Sequence, residues 1–259
     1  MSHPTEVSIQ RRWEAQIVLT NPAEVTAVIL AGGTGIRLRS VVTDRPKVLA
    51  EVFGRPFVTY LLDQLAAAGV TYGVMCIGYL GAQVEATLGE RYGSLRLSYS
   101  REASPLGTGG ALRLAVPMLR SDPVLAMNGD SFCHADLNDF CRWHRARGAR
   151  GTLLLTEVPD TRRYGRVQVD AHGRVRRFEE KGDAAGPGRI NAGIYLLTQE
   201  VLRAIPTDTA VSLEREVLPA WIGRGLYAYP GNGAFLDIGT PEAYARAEQF
   251  FSAGMAGER

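Results

Sequence analysis

Short apolar runs alternate with segments whose apolar positions recur at three- and four-residue spacing through the first half of this chain. Val25–Leu30, Tyr72–Gly78, Leu95–Tyr99 and Val124–Met127 read as strands, the first and last as buried ones. Between them, Pro56–Ala68 carries Phe57, Tyr60, Leu61, Leu65 and Ala68 at helical spacing and ends at Gly69, a natural residue just past a helix. Gln83–Leu88 and Thr108–Val116 read as shorter helices. Strands that alternate with helices predict an α/β fold with a doubly wound, mainly parallel, Rossmann-like sheet and helices on both faces.

Past residue 150 the pattern becomes strand-rich. Thr152–Glu157 is one predicted strand. Arg166–Val169 and Arg174–Phe178 form a hairpin through Asp170-Ala171-His172-Gly173. Ile190–Leu197 follows as a strand, then Leu213–Leu218 as a short helix and Ala234–Leu236 as a strand before Asp237. Pro241–Phe250 closes the chain as a helix with proline in its first turn. No repeat, linker or low-complexity stretch divides the sequence. The expectation is an extension over residues 1–23, one domain over 24–251 with a smaller β-rich half, and a frayed tail over 252–259.

Composition narrows the classes. Of 259 residues, 46% are hydrophobic and 22% charged, which suits one domain with a sizeable core. The net charge of +2 gives no electrostatic reason to expect nucleic acid or a membrane surface. Three cysteines, Cys76, Cys133 and Cys141, are odd in number and show no C-x-x-C pair. That argues against a disulfide framework or a zinc site and for a reducing cytoplasm. Residues 1–23 lack the apolar core of a secretion signal. Lys47 and Lys181 are the only lysines beside abundant arginine, and both fall next to motif residues.

The first strand breaks into Ala31-Gly32-Gly33-Thr34-Gly35-Ile36-Arg37-Leu38. A loop with three glycines in four positions lets backbone N–H groups approach a polyphosphate, because no Cβ blocks them. Arg37 and Lys47 then supply cations suited to phosphate oxygens. A P-loop is excluded, since no lysine follows Gly35 directly; a dinucleotide fingerprint is excluded because Leu38 stands where the last glycine belongs. Taken alone, the glycines also fit a tight strand-to-helix turn. Such sheets bind ligands beyond the carboxyl ends of their strands, where this loop and Asn128-Gly129-Asp130 are expected to lie.

Gly32, Gly33, Gly35, Arg37, Leu38, Thr43, Pro46 and Lys47 resemble the signature of the sugar-1-phosphate nucleotidyltransferases, which make nucleotide-sugars from an NTP and a sugar phosphate. Ile36 departs from the usual threonine, and Val48 from a second proline. The run Arg37-Leu38-Arg39-Ser40-Val41-Val42 is similar to the branch that acts on D-glycero-D-manno-heptose 1-phosphate with GTP. The resemblance covers about residues 25 to 250.

Attack of a sugar phosphate on the α-phosphorus joins two anions and expels pyrophosphate, so it needs positioning and charge neutralisation more than a base. The resemblance implies Mg²⁺ held by Asp130 and by Asp237 of the Phe235-Leu236-Asp237-Ile238-Gly239-Thr240-Pro241 segment. Two carboxylates suffice for that ion, which fills its shell with water and phosphate. Read alone, Asn-Gly-Asp is ordinary turn chemistry. The resemblance places Arg37 on the β and γ phosphates and Lys47 on the α-phosphate, with Asp130 completing the catalytic set. It implies nucleotide contacts at Leu30, Gly32, Gly33, Thr34, Gly35, Glu102, Gly107 and Thr108. It gives the sugar phosphate to Gly165, Glu180, Lys181 and Asn191, although a Glu-Glu-Lys run by itself is a solvated face.

Glu102 opens the stretch that matches the family's base-reading loop, where thymidylyl enzymes carry glutamine. A carboxylate only accepts, and guanine offers two adjacent donors, N1–H and the 2-amino group. GTP is therefore the expected NTP. A uridylyl- or thymidylyltransferase for a hexose 1-phosphate, and a nucleotide-sugar-binding regulatory subunit without turnover, are the other readings; homo-oligomerisation is left open.

Overall fold

The computed structural model describes residues 24–179 and 186–256. Strand β1 (Ala27–Leu30) lies at its centre. Then come the small pair β2 (Glu51–Val52) and β3 (Arg55–Pro56), helix α1 (Val58–Ala67), β4 (Tyr72–Ile77) and α2 (Gly81–Leu88). Strands β5 (Arg91–Tyr92) and β6 (Leu95–Arg101), helix α3 (Gly107–Ala115), β7 (Val124–Asn128), β8 (Ser131–Cys133) and α4 (Leu137–Ala146) complete the first half. The second half holds β9 (Gly151–Val158), the hairpin β10 (Val167–Val169) and β11 (Val175–Phe178), β12 (Gly188–Leu197), α5 (Gln199–Arg203), a π-helical turn at Leu213–Val217, α6 (Leu218–Ala220), β13 (Leu226–Pro230), β14 (Phe235–Asp237), α7 (Pro241–Tyr244) and α8 (Ala247–Ala256).

Eight strands form one sheet in the order β13-β9-β12-β7-β1-β4-β6-β5. β5 and β12 run antiparallel to the other six. The expected doubly wound, mainly parallel sheet is therefore what the chain builds. From β1 the chain moves outward through β4 to β6, then returns to place β7 on the other side of β1. That reversal opens a crevice beyond the carboxyl ends of β1 and β7, the position where such sheets bind ligands.

The period of two along each strand divides the interior. Ala27 and Ile29 of β1, Met75 and Ile77 of β4, and Leu125 and Met127 of β7 enter one core, against α1, α2, α4 and α8. Val28, Val74, Cys76, Val124 and Ala126 enter the other, against α3, α5 and the 213–221 segment. Both faces are covered, which is why these strands are buried at nearly every position. The three cysteines are buried as free thiols, and burial pushes each up, Cys76 and Cys133 to about 12 and Cys141 to about 11. No helix among the described residues is long and apolar enough to cross a membrane.

The structure adds elements that the pattern left unassigned. Helix α4 starts at Asp136, whose carboxylate accepts the Asp139 N–H at 2.8 Å. β13 extends the sheet alongside β9. The predicted closing helix is two helices, and the second continues to Ala256 beyond the expected fraying point at Ser252. Its anchor is Phe251, stacked on Tyr60 with ring centroids 3.9 Å apart and edge-on to Phe132 at 5.2 Å. The extension over residues 1–23 and the last three residues lie outside the described residues.

Candidate active site

The chain leaves the sheet at Ala31, whose N–H still bonds Cys76 O at 2.8 Å. Gly35 then takes φ of +63°, with the Lys47 Cβ 3.2 Å from where its own Cβ would stand. A short 3₁₀ turn at Ile36–Leu38 follows, closed by Leu38 N–H on Gly35 O at 2.9 Å. A Cβ on Gly33 would meet nothing within 4 Å, so a side chain there would stand in open space. A cavity of about 320 Å³ opens beside this loop, walled by Leu30, Gly32, Gly33, Thr34 and Gly35. Lys47, Glu102, Gly107, Thr108, Asn128 and Asp130 close it from the other strand ends.

Lys47 and Asp130 meet in this cavity, Nζ 2.5 Å from Oδ2, although 83 positions separate them in the chain. The Lys47 side chain is only 10% exposed, held low by a 3₁₀ turn at Lys47–Leu49. Asp130 is placed by its predecessor. Gly129 N–H bonds Leu30 O at 2.9 Å, and a Cβ on Gly129 would sit 2.7 Å from that oxygen, so only glycine allows the approach.

Asp237 comes to the same place through the sheet. β14 pairs antiparallel with β8, Asp237 opposite Ser131, and Ile238 N–H donates to Asp130 O at 3.1 Å. One Asp237 oxygen accepts the Gly239 N–H at 2.7 Å, and the other stands 4.0 Å from Arg163. Arg37 reaches this turn as well, its Nη2 3.4 Å from the place of a Gly239 Cβ. Asp130 and Asp237 are thus neighbours through the Ile238 N–H on Asp130 O, and their carboxylate oxygens are of the kind Mg²⁺ takes. No cluster of three or more His, Cys, Asp or Glu that would hold a metal unaided occurs among the described residues.

Glu102 ends β6 and lodges between two glycines: a Cβ on Gly32 would approach its Oε1 to 2.6 Å, and one on Gly78 to 2.4 Å. Oε2 accepts the Leu106 N–H at 3.0 Å. Partial burial raises its carboxyl above the ordinary range, partly offset by that hydrogen bond. The glycines after it serve packing as much as ligand approach. A Gly107 Cβ would lie 2.6 Å from Val211 O, and Gly109 N–H donates to the same oxygen at 2.8 Å. The Thr108 hydroxyl is already engaged, accepting from Leu213 N–H at 2.8 Å and donating to Glu214 at 2.7 Å. Thr108 therefore lines the cavity with its side chain committed elsewhere.

On the second half's side, Gly165 ends a turn with φ of +72°, its N–H on Thr161 O at 3.1 Å. Tyr164 before it packs edge-on against Phe235 of β14, which brings this turn beside Asp237. Asn191 sits at a bulge in β12, where pairing with β9 shifts between Asn191 and Tyr195. Gly193, at φ of +76°, makes the bulge, and its missing Cβ would lie 2.9 Å from both Asn128 Nδ2 and Ser131 Oγ. Asn191 accepts the Gly193 N–H at 3.0 Å and donates to the Tyr195 hydroxyl at 2.9 Å. Glu180 and Lys181 lie outside the described residues. Sequence reasoning passed over Arg163 and Glu214 and gave Tyr195, the last residue of the Asn191-Ala192-Gly193-Ile194-Tyr195 element, no role of its own; for Glu214 the Ser-Leu-Glu-Arg-Glu-Val run carried the one usable signal, a capping serine followed by acids.

The family model described as "Nucleotidyl transferase" matches residues 26–254. The chain is 38% identical over 237 residues to a mannose-1-phosphate guanylyltransferase of Mycobacterium tuberculosis, covering 90% of this chain and 66% of that one. It is 33% identical to a D-glycero-alpha-D-manno-heptose 1-phosphate guanylyltransferase of Aneurinibacillus thermoaerophilus, covering 86% of this chain and 96% of the relative. The structure of HddC from Yersinia pseudotuberculosis complexed with GMP-PN aligns with a TM-score of 0.77 at 31% identity, over 88% of this chain and 99% of that one. The chain spans about two thirds of the length of the mannose-1-phosphate relatives it matches.

Proposed function

This chain belongs to the nucleotidyl transferase family, and on that premise we propose that it transfers the guanylyl group of GTP to a D-manno-configured sugar 1-phosphate and releases pyrophosphate. One observation carries the reading: a single cavity joins the glycine loop, the lodged Glu102 carboxylate and the Lys47–Asp130 pair. Backbone amides of Gly32–Gly35 face the triphosphate, and Glu102 faces guanine's two donors. Lys47 and Arg37 neutralise the phosphates; Asp130 and Asp237 would hold Mg²⁺, which when bound would supply further neutralisation of the two anions. Asn191, Gly165, Glu180 and Lys181 take the sugar phosphate.

The run Arg37–Val42 favours D-glycero-D-manno-heptose 1-phosphate as the acceptor. The 38% identity to a mannose-1-phosphate enzyme supports a second acceptor of the same ring configuration, mannose 1-phosphate. Pyrophosphate release, measured with Mg²⁺, each of GTP, UTP, dTTP, CTP and ATP, and both sugar phosphates plus glucose 1-phosphate, tests the reading. GTP with a manno-configured acceptor should lead. Release with UTP or dTTP and glucose 1-phosphate would replace this reading by the uridylyl or thymidylyl one, and tight nucleotide binding with no turnover by the regulatory-subunit one.

A further inference from the structure

The strap at 209–214 docks on the glycine-rich loop that opens helix α3. Val211 N–H donates to Leu106 O at 2.9 Å, Gly109 N–H returns a bond to Val211 O, and Leu213 N–H bonds the Thr108 hydroxyl. Leu106 in turn holds Glu102. The strap ends in a π-helical turn at Leu213–Val217, a rare local geometry that is frequent at functional sites. Ser212 fixes its entry, accepting Arg215 N–H at 3.2 Å while its own N–H bonds Glu216 at 2.8 Å.

Glu214 stands at the end of this chain of contacts. Its Oε2 accepts the Thr108 hydroxyl at 2.7 Å and the Ser212 hydroxyl at 3.3 Å; its Oε1 accepts the Tyr195 hydroxyl at 3.1 Å. Tyr195 is fully buried and also receives the Asn191 amide. The Thr108 and Tyr195 hydroxyls each donate to Glu214 and accept from other neighbours, Thr108 from the Leu213 N–H and Tyr195 from the Asn191 and Asn128 amides. Among the described residues the carboxylate has hydroxyl partners and no ion pair. Burial, and then the charge of Glu214, hold the Tyr195 hydroxyl well above the usual phenol range, so it stays a donor. A path therefore runs from Glu102 through Leu106 to Val211, along the strap to Leu213, and from there through Thr108 to Glu214, Tyr195 and Asn191.

We propose that Glu214 is a positioning residue that couples the two substrate sites, tying the base-facing loop to the sugar-facing bulge so that occupancy of one orders the other. The inference rests on the guanylyltransferase reading for the identity of the two ligands, and on the hydrogen bonds alone for the coupling. Thermodynamic linkage makes the effect reciprocal, and couplings of this kind run from about 5- to 150-fold.

Calorimetry with a non-hydrolysable α,β-methylene GTP analogue tests it. The analogue's affinity is measured with and without saturating mannose 1-phosphate in Mg²⁺. Wild-type protein should show a coupling factor of about 5 or more. Glu214→Gln, which keeps the shape, should bring it to within about twofold of unity, and Tyr195→Phe should do the same while keeping its ring in the core. A structural role alone would lower melting temperature and leave the factor intact; that outcome, or a wild-type factor near 1, overturns the proposal. Hydrogen exchange on wild-type protein needs no variant: the analogue alone should slow the Gly193 amide, which bonds Asn191, about fivefold. If no sugar phosphate is turned over, the functional reading falls while this exchange measurement still decides the coupling; unchanged Gly193 exchange overturns it.

Discussion

In the half before residue 134 the walls around Glu102 and the Lys47–Asp130 pair are shaped largely by main-chain contacts at strand ends; in the half after 150 the site is made of side chains that meet across the fold. The first half presents Gly32–Gly35, the Gly129 contact with Leu30 and the Leu106 N–H on Glu102, all set by local turns at the carboxyl ends of β1, β7 and β6. The second half presents Asn191, Tyr195 and Glu214, each positioned by another residue's side chain. The contrast teaches where tolerance lies. A backbone amide is available from any residue that can take the turn, whereas a hydroxyl on a carboxylate is lost with one substitution.

The largest break in this comparison comes where the halves join, at the carboxylates just before β8 and at the end of β14. Asp130→Asn or Asp237→Asn should lower turnover by about 10²–10³-fold with melting temperature nearly unchanged. Turnover that survives either change, or that persists in EDTA, removes the metal from the mechanism.

A second junction lies between α4 and β9, where the buried His144 places Nδ1 2.7 Å from Thr152 Oγ1. Burial, aided by Arg145, lowers His144 to about 4, from an ordinary 6.5. The unfolded chain takes up that proton near 6.5 and the folded chain does not until about 4. Stability therefore falls as pH drops through this window, by about 3 kcal/mol at most. Urea midpoints at pH 7 and pH 4.5 should show that loss, and His144→Gln should flatten it; equal slopes in the two proteins would sink the assignment.

Two glycines sharpen the contrast directly. Gly193→Ala must carry φ of +76° and a Cβ 2.9 Å from Asn128 and Ser131, and should cost about 1–3 kcal/mol in denaturant unfolding. Gly33→Ala meets nothing within 4 Å, so it should leave stability unchanged and raise the KM for GTP roughly tenfold by filling the phosphate's approach. Reversed outcomes would mean that the two halves have been misassigned.

A last test is in base choice. Glu102→Gln should narrow the preference for GTP over UTP by about 10- to 100-fold, the worth of one good bidentate contact. The raised Glu102 carboxyl gives a sign with pH. Its charged form faces guanine, so GTP preference should weaken on acidification from above the ordinary carboxylate range, and the glutamine variant should lack that dependence. A preference that holds steady through the acid range in wild-type protein argues for another base contact.

Much of the first half was legible because its signals are local. The apolar runs named β1, β4, β6 and β7 within a few residues, and glycine spacing located the loop. Lys47 and Asp130 were found as separate motifs, and the fold supplied their contact. Helix α4 was missed although Leu137, Phe140, Cys141 and His144 fall at helical spacing between polar positions, the pattern of an amphipathic helix. β13 escaped because Tyr227 and Tyr229 are half-buried, so its alternation is blurred. Glu214 was not legible as a site residue: its partners Thr108 and Tyr195 lie 106 and 19 positions away, and no local pattern records them.

The strict alternation of β1, β4 and β7 into two cores has a consequence for redesign. Val28 and Ile29 are neighbours in the chain and inhabitants of separate compartments, with the sheet as a partition between them. Volume changes made on opposite sides share no contacts and so add independently, while changes on one side must be balanced there. The molecule can be repacked one chamber at a time, with the rim that carries the chemistry anchored throughout by the wall between them.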